Sequence, residues 1–160
     1  MSGAELPPVT WRWHRWDQLD RDQLYAILKA RVDIFVVEQE CPYPEIDGKD
    51  PKALHLLGYD GHPGDGVLLA YARLFAPGVY YAEPAVGRVL TTPAARGRGV
   101  GRLLMAECHR FSEATFGTPA VRLNGQAYLK EFYESLGYAA VMGPYDEDGI
   151  PHYEMLRAAP

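Results

Sequence analysis

The strongest local indication of the fold runs from residue 89 to residue 101 and reads Val89-Leu90-Thr91-Thr92-Pro93-Ala94-Ala95-Arg96-Gly97-Arg98-Gly99-Val100-Gly101. A β-branched strand ends before Pro93, and glycines then lead into an amphipathic helix predicted from Val100 to about Phe116. Because glycine has no Cβ, this backbone can curl until successive N–H groups point into one concavity. The helix start adds unpaired N–H donors and a partial positive charge. The stretch therefore predicts a pyrophosphate-binding anion site, supported by the charges of Arg96, Arg98 and Arg102.

Three other interpretations of this glycine-rich stretch compete with the anion site. A dinucleotide-binding fingerprint needs glycine at the third position of G-x-G-x-x-G, and that position is Arg102. A P-loop needs G-x-x-x-x-G-K-[ST], a spacing that the sequence does not contain. A turn that only joins a strand to a helix is the third alternative. Three arginines clustered at a helix start in an acidic protein argue against it.

The composition limits the class of protein. The 160 residues fit one domain over residues 1–160, and 48% hydrophobic with 23% charged residues is ordinary for a globular chain. The net charge of −5 disfavours a nucleic-acid partner. Cys41 and Cys108 form neither a disulfide framework nor a metal-ligand spacing, so we expect reduced thiols and no metal.

Targeting and membrane signals are not recognisable in the sequence. No apolar run approaches the roughly 20 residues of a membrane-spanning helix. The first eight residues lack the basic end and apolar stretch of a secretory leader, and Ser2 does not fit the myristoylation pattern. We therefore expect a cytoplasmic protein with no membrane partner.

Hydrophobic periodicity predicts an α/β (α+β) fold, in which a mixed sheet carries helices on its faces. An acidic loop, punctuated by proline and glycine, is predicted over residues 38–51, and a hairpin turn over residues 60–66. The predicted strands are 9–15, 53–59, 67–75, 86–91, 120–123, 138–142 and 152–157, and the predicted helices are 21–37, 100–116 and 126–136.

Two motifs resemble the GNAT superfamily of N-acetyltransferases. The pattern Arg96-x-x-Gly99-x-Gly101 resembles the family's acetyl-CoA motif, and Phe132-Tyr133-Glu134-Ser135-Leu136-Gly137-Tyr138 resembles its second motif. The runs from Arg31 to Tyr43, followed by Glu45 and Asp47, and from Asp148 to Met155 resemble the ElaA-like branch. The strand order agrees as well, so the resemblance covers nearly the whole chain.

The resemblance implies a GNAT fold of about seven strands and about four helices, with the fourth and fifth strands splayed into a slot for the cofactor arm. It implies direct transfer of an acetyl group from acetyl-CoA to a small-molecule or peptide amine in a ternary complex, and leaves a homodimer open. Gln126 stands where the family often has asparagine, so whether Gln126 or Asn124 reaches the pantetheine is open. The implied cofactor-binding residues are Val89, Leu90, Thr91, Arg96, Gly97, Arg98, Gly99, Val100, Gly101, Arg102 and Gln126.

Acetyl transfer to an amine needs a base, an oxyanion donor and an acid. An amine with a lysine-like pKa of about 10.4 is mostly protonated at neutral pH, so a carboxylate or histidine must accept its proton. A fourth strand with interrupted pairing can supply an N–H to the oxyanion. A tyrosine hydroxyl can protonate the leaving thiolate, and the resemblance implies that this acid is Tyr133, although beside Phe132 it could also be a core residue. The candidate bases are Glu38, Glu45, Asp47, Asp50, His55 and Glu154, of which Glu45 and His55 are the ones selected.

Each candidate also has a plainer interpretation. A histidine in an apolar strand, as His55 is, is more often structural, and the carboxylates of residues 38–50 could be a solvated loop. Arg31, Arg73 and Arg88 could form ion pairs instead of binding the acceptor. Direct transfer needs no acyl-carrying nucleophile, which disfavours that role for Cys41. The rival functions are a longer-chain acyl-CoA N-acyltransferase and a non-catalytic acyl-CoA-binding module.

Overall fold

Seven strands and three α-helices build the part of the chain that the computed structural model describes, residues 8–61 and 66–158. The strands are β1 (Val9–Arg15), β2 (Leu54–Asp60), β3 (Val67–Phe75), β4 (Ala85–Thr91), β5 (Val121–Gln126), β6 (Tyr138–Glu147) and β7 (Ile150–Arg157). The helices are α1 (Arg21–Arg31), α2 (Val100–Phe116) and α3 (Lys130–Glu134). Residues 1–7 of the predicted domain and residues 62–65 of the predicted hairpin turn lie outside the described residues.

The strands form one mixed sheet in the order β1-β2-β3-β4-β5-β7-β6. Every neighbouring pair is antiparallel except β4 and β5, which are parallel. These two strands pair only through Ala85 with Arg122 and Val86 with Leu123, and then separate. The predicted mixed sheet and the predicted splay between the fourth and fifth strands are therefore confirmed.

Two apolar cores cover the two faces of the sheet. Leu56, Leu74 and Val86 pack with Leu104 and Met105 of α2 on one face. The other face packs against α1, and its buried residues are Ile27, Ile34, Leu57, Tyr59, Tyr71 and Leu90. Successive residues of a strand point to opposite faces, so a strand covered on both sides is a continuous apolar run. This explains why β2 and β3 are easily recognised in the sequence.

Several element boundaries differ from those predicted. The predicted helix 21–37 begins with a capping box between Asp20 and Gln23, but after Arg31 it continues as a π-helical segment, Val32–Glu38. The predicted helix 126–136 is reduced to α3 and a preceding 3₁₀ turn, Ala127–Leu129, because β5 continues to Gln126 in pairing with β7. None of the helices formed by the described residues is long and apolar enough to cross a membrane.

Candidate functional site

A cleft of about 870 Å³ lies where β4 and β5 separate. Residues 87–91 of β4 and 124–126 of β5 form two of its walls, and the π-helical segment and the β6–β7 hairpin form others. This cleft holds the predicted strand residues Val89, Leu90 and Thr91 together with Gln126 and Tyr133. Of the predicted site residues, Arg96 also lines this cleft, whereas residues 97–102, Glu45 and His55 do not.

A β-bulge interrupts β4 inside the cleft. Tyr71 pairs with Leu90 and Arg73 with Gly87, so two residues of β4, Arg88 and Val89, face the single residue Ala72. Arg88 has φ of 50°, the left-handed region that non-glycine residues rarely adopt. Because a bulge disrupts the hydrogen-bonded ladder, this is the interruption that an oxyanion donor on the fourth strand requires.

A buried cluster of charges holds the acidic loop against β3 and β4. We call it the arginine–carboxylate cluster; its members are Arg31, Arg73, Arg88, Glu45, Asp47 and Asp50. Nε of Arg31 lies 2.6 Å from Glu45, and its Nη1 lies 2.6 Å from Asp50. Arg73 joins Asp47 to Asp50, and Arg88 reaches Glu45 and Asp47. Three cations therefore balance three carboxylates, which supports ion pairing over acceptor binding for these arginines.

The charge state of this cluster follows from its contacts. Burial alone would raise the pKa of Asp47, but hydrogen bonds from Arg73 and from the N–H of Lys49 outweigh it, and the pKa falls well below its usual value. Asp50 behaves in the same way through Arg31 and Arg73. Both carboxylates are thus held ionised by arginines. The cluster also fixes Arg88, and with it the bulge.

Glu45 and His55 do not line the cleft. Glu45 is bound by Arg31, Arg88 and the hydroxyl of Tyr43. His55 is fully buried, its Nδ1 lies 2.7 Å from the Tyr71 hydroxyl, and its Nε2 lies 3.0 Å from the carbonyl oxygen of Asp50. Burial lowers the pKa of His55 and favours the neutral ring. This placement does not support a base role for either residue, because neither lines the cleft and both are engaged with other protein groups.

The glycine-rich loop leads into α2 as the sequence indicates. Gly97 and Gly99 have φ of 74° and 75°, and Gly99 is the residue before the helix start at Val100, which is buried. A Cβ at Gly101 would make ordinary van der Waals contacts, 3.8 Å from Phe132 and 3.9 Å from Thr91. The arginines differ: Arg96 pairs with Glu38 at the cleft, Arg98 bonds the carbonyl of Ala94, and Arg102 lies over the Phe132 ring.

Tyr133 reaches the cleft from the α2 face of the sheet. Its ring is buried, and its hydroxyl makes no hydrogen bond with any residue that the structure describes. Burial raises the pKa of Tyr133 well above its usual value, so the hydroxyl stays protonated at neutral pH. Gln126 and Asn124 are the alternative candidates for binding the pantetheine, and both side chains bind protein groups in this structure. Gln126 exchanges hydrogen bonds with Gln39, and Asn124 donates to Glu147.

Two polar residues of the cleft, Glu147 and His152, are not among the site residues predicted from the sequence. They lie on the two strands of the β6–β7 hairpin, and His152 Nε2 is 3.5 Å from Glu147 Oε2. A signal was present, because His152 belongs to the Asp148–Met155 run. On its own that run indicates a family resemblance and no role for His152.

Comparison with known proteins agrees with this geometry. Residues 65–158 match the family model of the acetyltransferase (GNAT) domain. Protein ElaA of Escherichia coli is 38% identical over 151 residues, covering 93% of this chain and 96% of that protein, and its crystal structure has a TM-score of 0.83. The crystal structure of an acyl-CoA N-acyltransferase from Pseudomonas aeruginosa is 39% identical, covers 94% of this chain and 100% of that chain, and has a TM-score of 0.87.

The fold, the splayed strands and the relatives together define an acyl-CoA-dependent acyltransferase. The chain belongs to the GNAT superfamily, in its ElaA-like branch.

Proposed function

We propose that this protein transfers an acetyl group from acetyl-CoA to a primary amine by direct attack in a ternary complex. The observation that carries the proposal is the gap between β4 and β5, which has the bulge at Arg88 and Val89 on one side and Tyr133 on the other. A thioester in this gap would have a backbone N–H near its oxyanion and a phenol near its sulfur.

The proposed cofactor position follows the backbone. The pyrophosphate would lie on the N–H groups of residues 96–102, where α2 begins. The amides of the pantetheine would then run along Val89, Leu90 and Thr91, on the edge of β4 that β5 leaves unpaired. Gln126 faces this path from β5.

Tyr133 is the proposed acid for the leaving sulfur. Its raised pKa keeps it protonated, but the same shift makes full proton transfer to a thiolate, with a pKa of about 8.5, unfavourable. We therefore expect Tyr133 to act mainly by a hydrogen bond to the departing sulfur. Its contribution should lie at the low end of the range for general acids, about 10²-fold.

The test is a screen of acyl-CoA donors and amine acceptors, followed by release of free CoA thiol. Acetyl-, butyryl- and octanoyl-CoA are each combined with an alkylamine, a polyamine, a lysine peptide and a peptide with a free N-terminus. Reactions without amine measure background hydrolysis. We expect acetyl-CoA to have the highest kcat/KM. Faster transfer from octanoyl-CoA would indicate a longer-chain acyltransferase, and binding of acetyl-CoA without turnover would indicate a non-catalytic module.

A further inference from the structure

The β6–β7 hairpin brings an imidazole and a carboxylate into the cleft. The Nδ1 atom of His152 lies 2.7 Å from the carbonyl oxygen of Ile150. Because a carbonyl oxygen only accepts, Nδ1 must carry the hydrogen, and the neutral ring then keeps its lone pair on Nε2. Nε2 is the atom that lies 3.5 Å from Glu147 Oε2. The backbone therefore selects the tautomer whose basic nitrogen is next to a carboxylate.

Two further side chains hold this pair in place. Asn124 of β5 donates from Nδ2 to Glu147 Oε2 at 2.6 Å. The hydroxyl of Tyr145 donates to Asn124 Oδ1, and the ring of Tyr145 stacks on the imidazole with 6.4 Å between centroids and 26° between planes. The four residues form a closed ring of contacts. Such supporting contacts fix the orientation of the His152 imidazole.

The imidazole faces the α1 side of the sheet, opposite the side from which Tyr133 enters. Gln126 pairs with His152, and paired residues of antiparallel strands point to the same face. Gln126 bonds Gln39, at the end of the π-helical segment, so this face is the α1 face. Tyr133 belongs to the core on the α2 face. The two titratable groups thus flank the gap between β4 and β5 from opposite faces of the sheet.

We propose that His152 is the general base that accepts the proton of the acceptor ammonium, and that Glu147 and Asn124 are positioning residues for it. This inference rests on the proposed amine acetylation. The side chain of His152 is 12% exposed and that of Glu147 47% exposed. The carboxylate is therefore placed to attract a cation from solvent, while the imidazole lies deeper, where deprotonation has to occur.

The proton balance is closed without another reactant. The ammonium gives one proton to Nε2 of His152, and the neutral amine attacks the acetyl carbonyl carbon to form the C–N bond. As the C–S bond breaks, the Tyr133 hydroxyl donates a hydrogen bond to the departing thiolate, and the surplus proton on nitrogen then neutralises the sulfur to give the CoA thiol. His152 then releases its proton to solvent past Glu147. The sum is ammonium and acetyl-CoA giving amide, CoA thiol and one proton.

The experiment compares His152→Ala with wild type, using the acceptor that the amine screen identifies. We expect kcat to fall by about 10² to 10³, within the range for general bases, with unchanged CoA affinity and melting temperature. Added imidazole should restore part of the rate. Across a series of acceptors of decreasing basicity, the defect should shrink, because a less basic amine needs no base. His14→Ala, on β1 away from the cleft, should match wild type.

Further variants separate a catalytic role from a structural one. Glu147→Gln should raise the acceptor KM and lower kcat less than His152→Ala does. If His152→Ala folds poorly, His152→Asn keeps an N–H donor near the Nδ1 position for the Ile150 carbonyl and serves in its place. A kcat within about threefold of wild type, or a loss that neither imidazole nor acceptor basicity alters, overturns the role of His152. Wild type that turns over no amine overturns the acetyltransferase proposal, and this inference with it.

Discussion

The ring of Tyr133 packs so closely on the backbone of Gly125 that a Cβ at position 125 would lie 2.9 Å from the ring atom Cε2. No ordinary Cβ contact is that short, so an alanine must displace the ring. We predict that Gly125→Ala lowers kcat about tenfold or more by moving the proposed acid. Steady-state kinetics of Gly125→Ala, Tyr133→Phe and the double variant measure this. Fully additive losses would show that Gly125 and Tyr133 act independently.

Removing only the hydroxyl of Tyr133 tests its chemistry directly. Tyr133→Phe keeps the ring that packs on Phe132 and Tyr138. We predict a kcat lower by about 10², with little change in melting temperature, because no described residue loses a hydrogen bond. Rapid-mixing kinetics should confirm that chemistry limits turnover. A kcat within about threefold of wild type would reduce Tyr133 to a packing residue.

The two ends of α2 provide a matched test of the pyrophosphate loop. Gly99 precedes the helix with φ of 75°, and Gly117 follows it with φ of 72°. Alanine at either position should cost about 1 kcal/mol or more of stability, because L-residues disfavour this conformation. Only Gly99→Ala should also weaken CoA binding, measured by calorimetric titration. Equal CoA affinity in both variants would place the pyrophosphate elsewhere.

Two arginine or lysine ion pairs of the α1 region should differ sharply in their contribution to the free energy of unfolding. Arg31→Met removes one of the two arginines that pair with each of the buried carboxylates Glu45 and Asp50, and we predict a loss of about 3 kcal/mol. Lys29→Met breaks the exposed pair with Asp33 and should have no measurable effect. Urea denaturation followed by circular dichroism compares them. Similar losses in both variants would mean that the buried cluster is not stabilising.

His109 predicts a specific pH dependence of stability. Burial, with a smaller effect of Arg157, lowers the pKa of His109 from 6.5 to about 4. Between these values the unfolded chain binds a proton that the folded chain does not, so stability should rise with pH by up to about 1.4 kcal/mol per unit and level off above about 6.5. Asp47 and Asp50 have lowered pKa values in the folded protein, so their contribution to stability is lost only as pH falls below about 4.

Urea midpoints for wild type and His109→Gln between about pH 4.5 and 7.5 isolate this contribution. The comparison is needed because burial also lowers the pKa values of His14 and His55. Wild type should lose stability faster than the variant as pH falls through this window. Parallel curves would show that His109 titrates alike in the folded and unfolded chains.

Secondary structure was predictable where one periodicity dominates. The prediction for β3, residues 67–75, and for α2, residues 100–116, is confirmed to the residue. The ends of β5 and β6 were underestimated, because Asn124-Gly125-Gln126 and Gly143-Pro144 are poor strand formers. Pairing with β7 overrides that local preference.

The candidate site was predictable only where its residues are contiguous in the sequence. The loop before α2 is a continuous motif, and Tyr133 lies in another. The partners of Glu45 are Arg31 and Arg88, which are 14 and 43 positions away, so its engagement could not be inferred from the loop itself. The closeness of Glu147 and His152 likewise depends on the register of the β6–β7 hairpin.

The sparse pairing of β4 with β5 has a consequence for the cohesion of the molecule. Strands β1 to β4 form one antiparallel group and β5 to β7 another, and within the described part of the chain two residue pairs join the groups into one sheet. A cofactor bound in the gap between β4 and β5 would supply hydrogen bonds that the two strands do not make with each other. Its binding free energy would therefore stabilise the contact between the two groups of strands. We expect resistance to proteolysis to increase with cofactor concentration, and the cofactor-free protein to open first between β4 and β5.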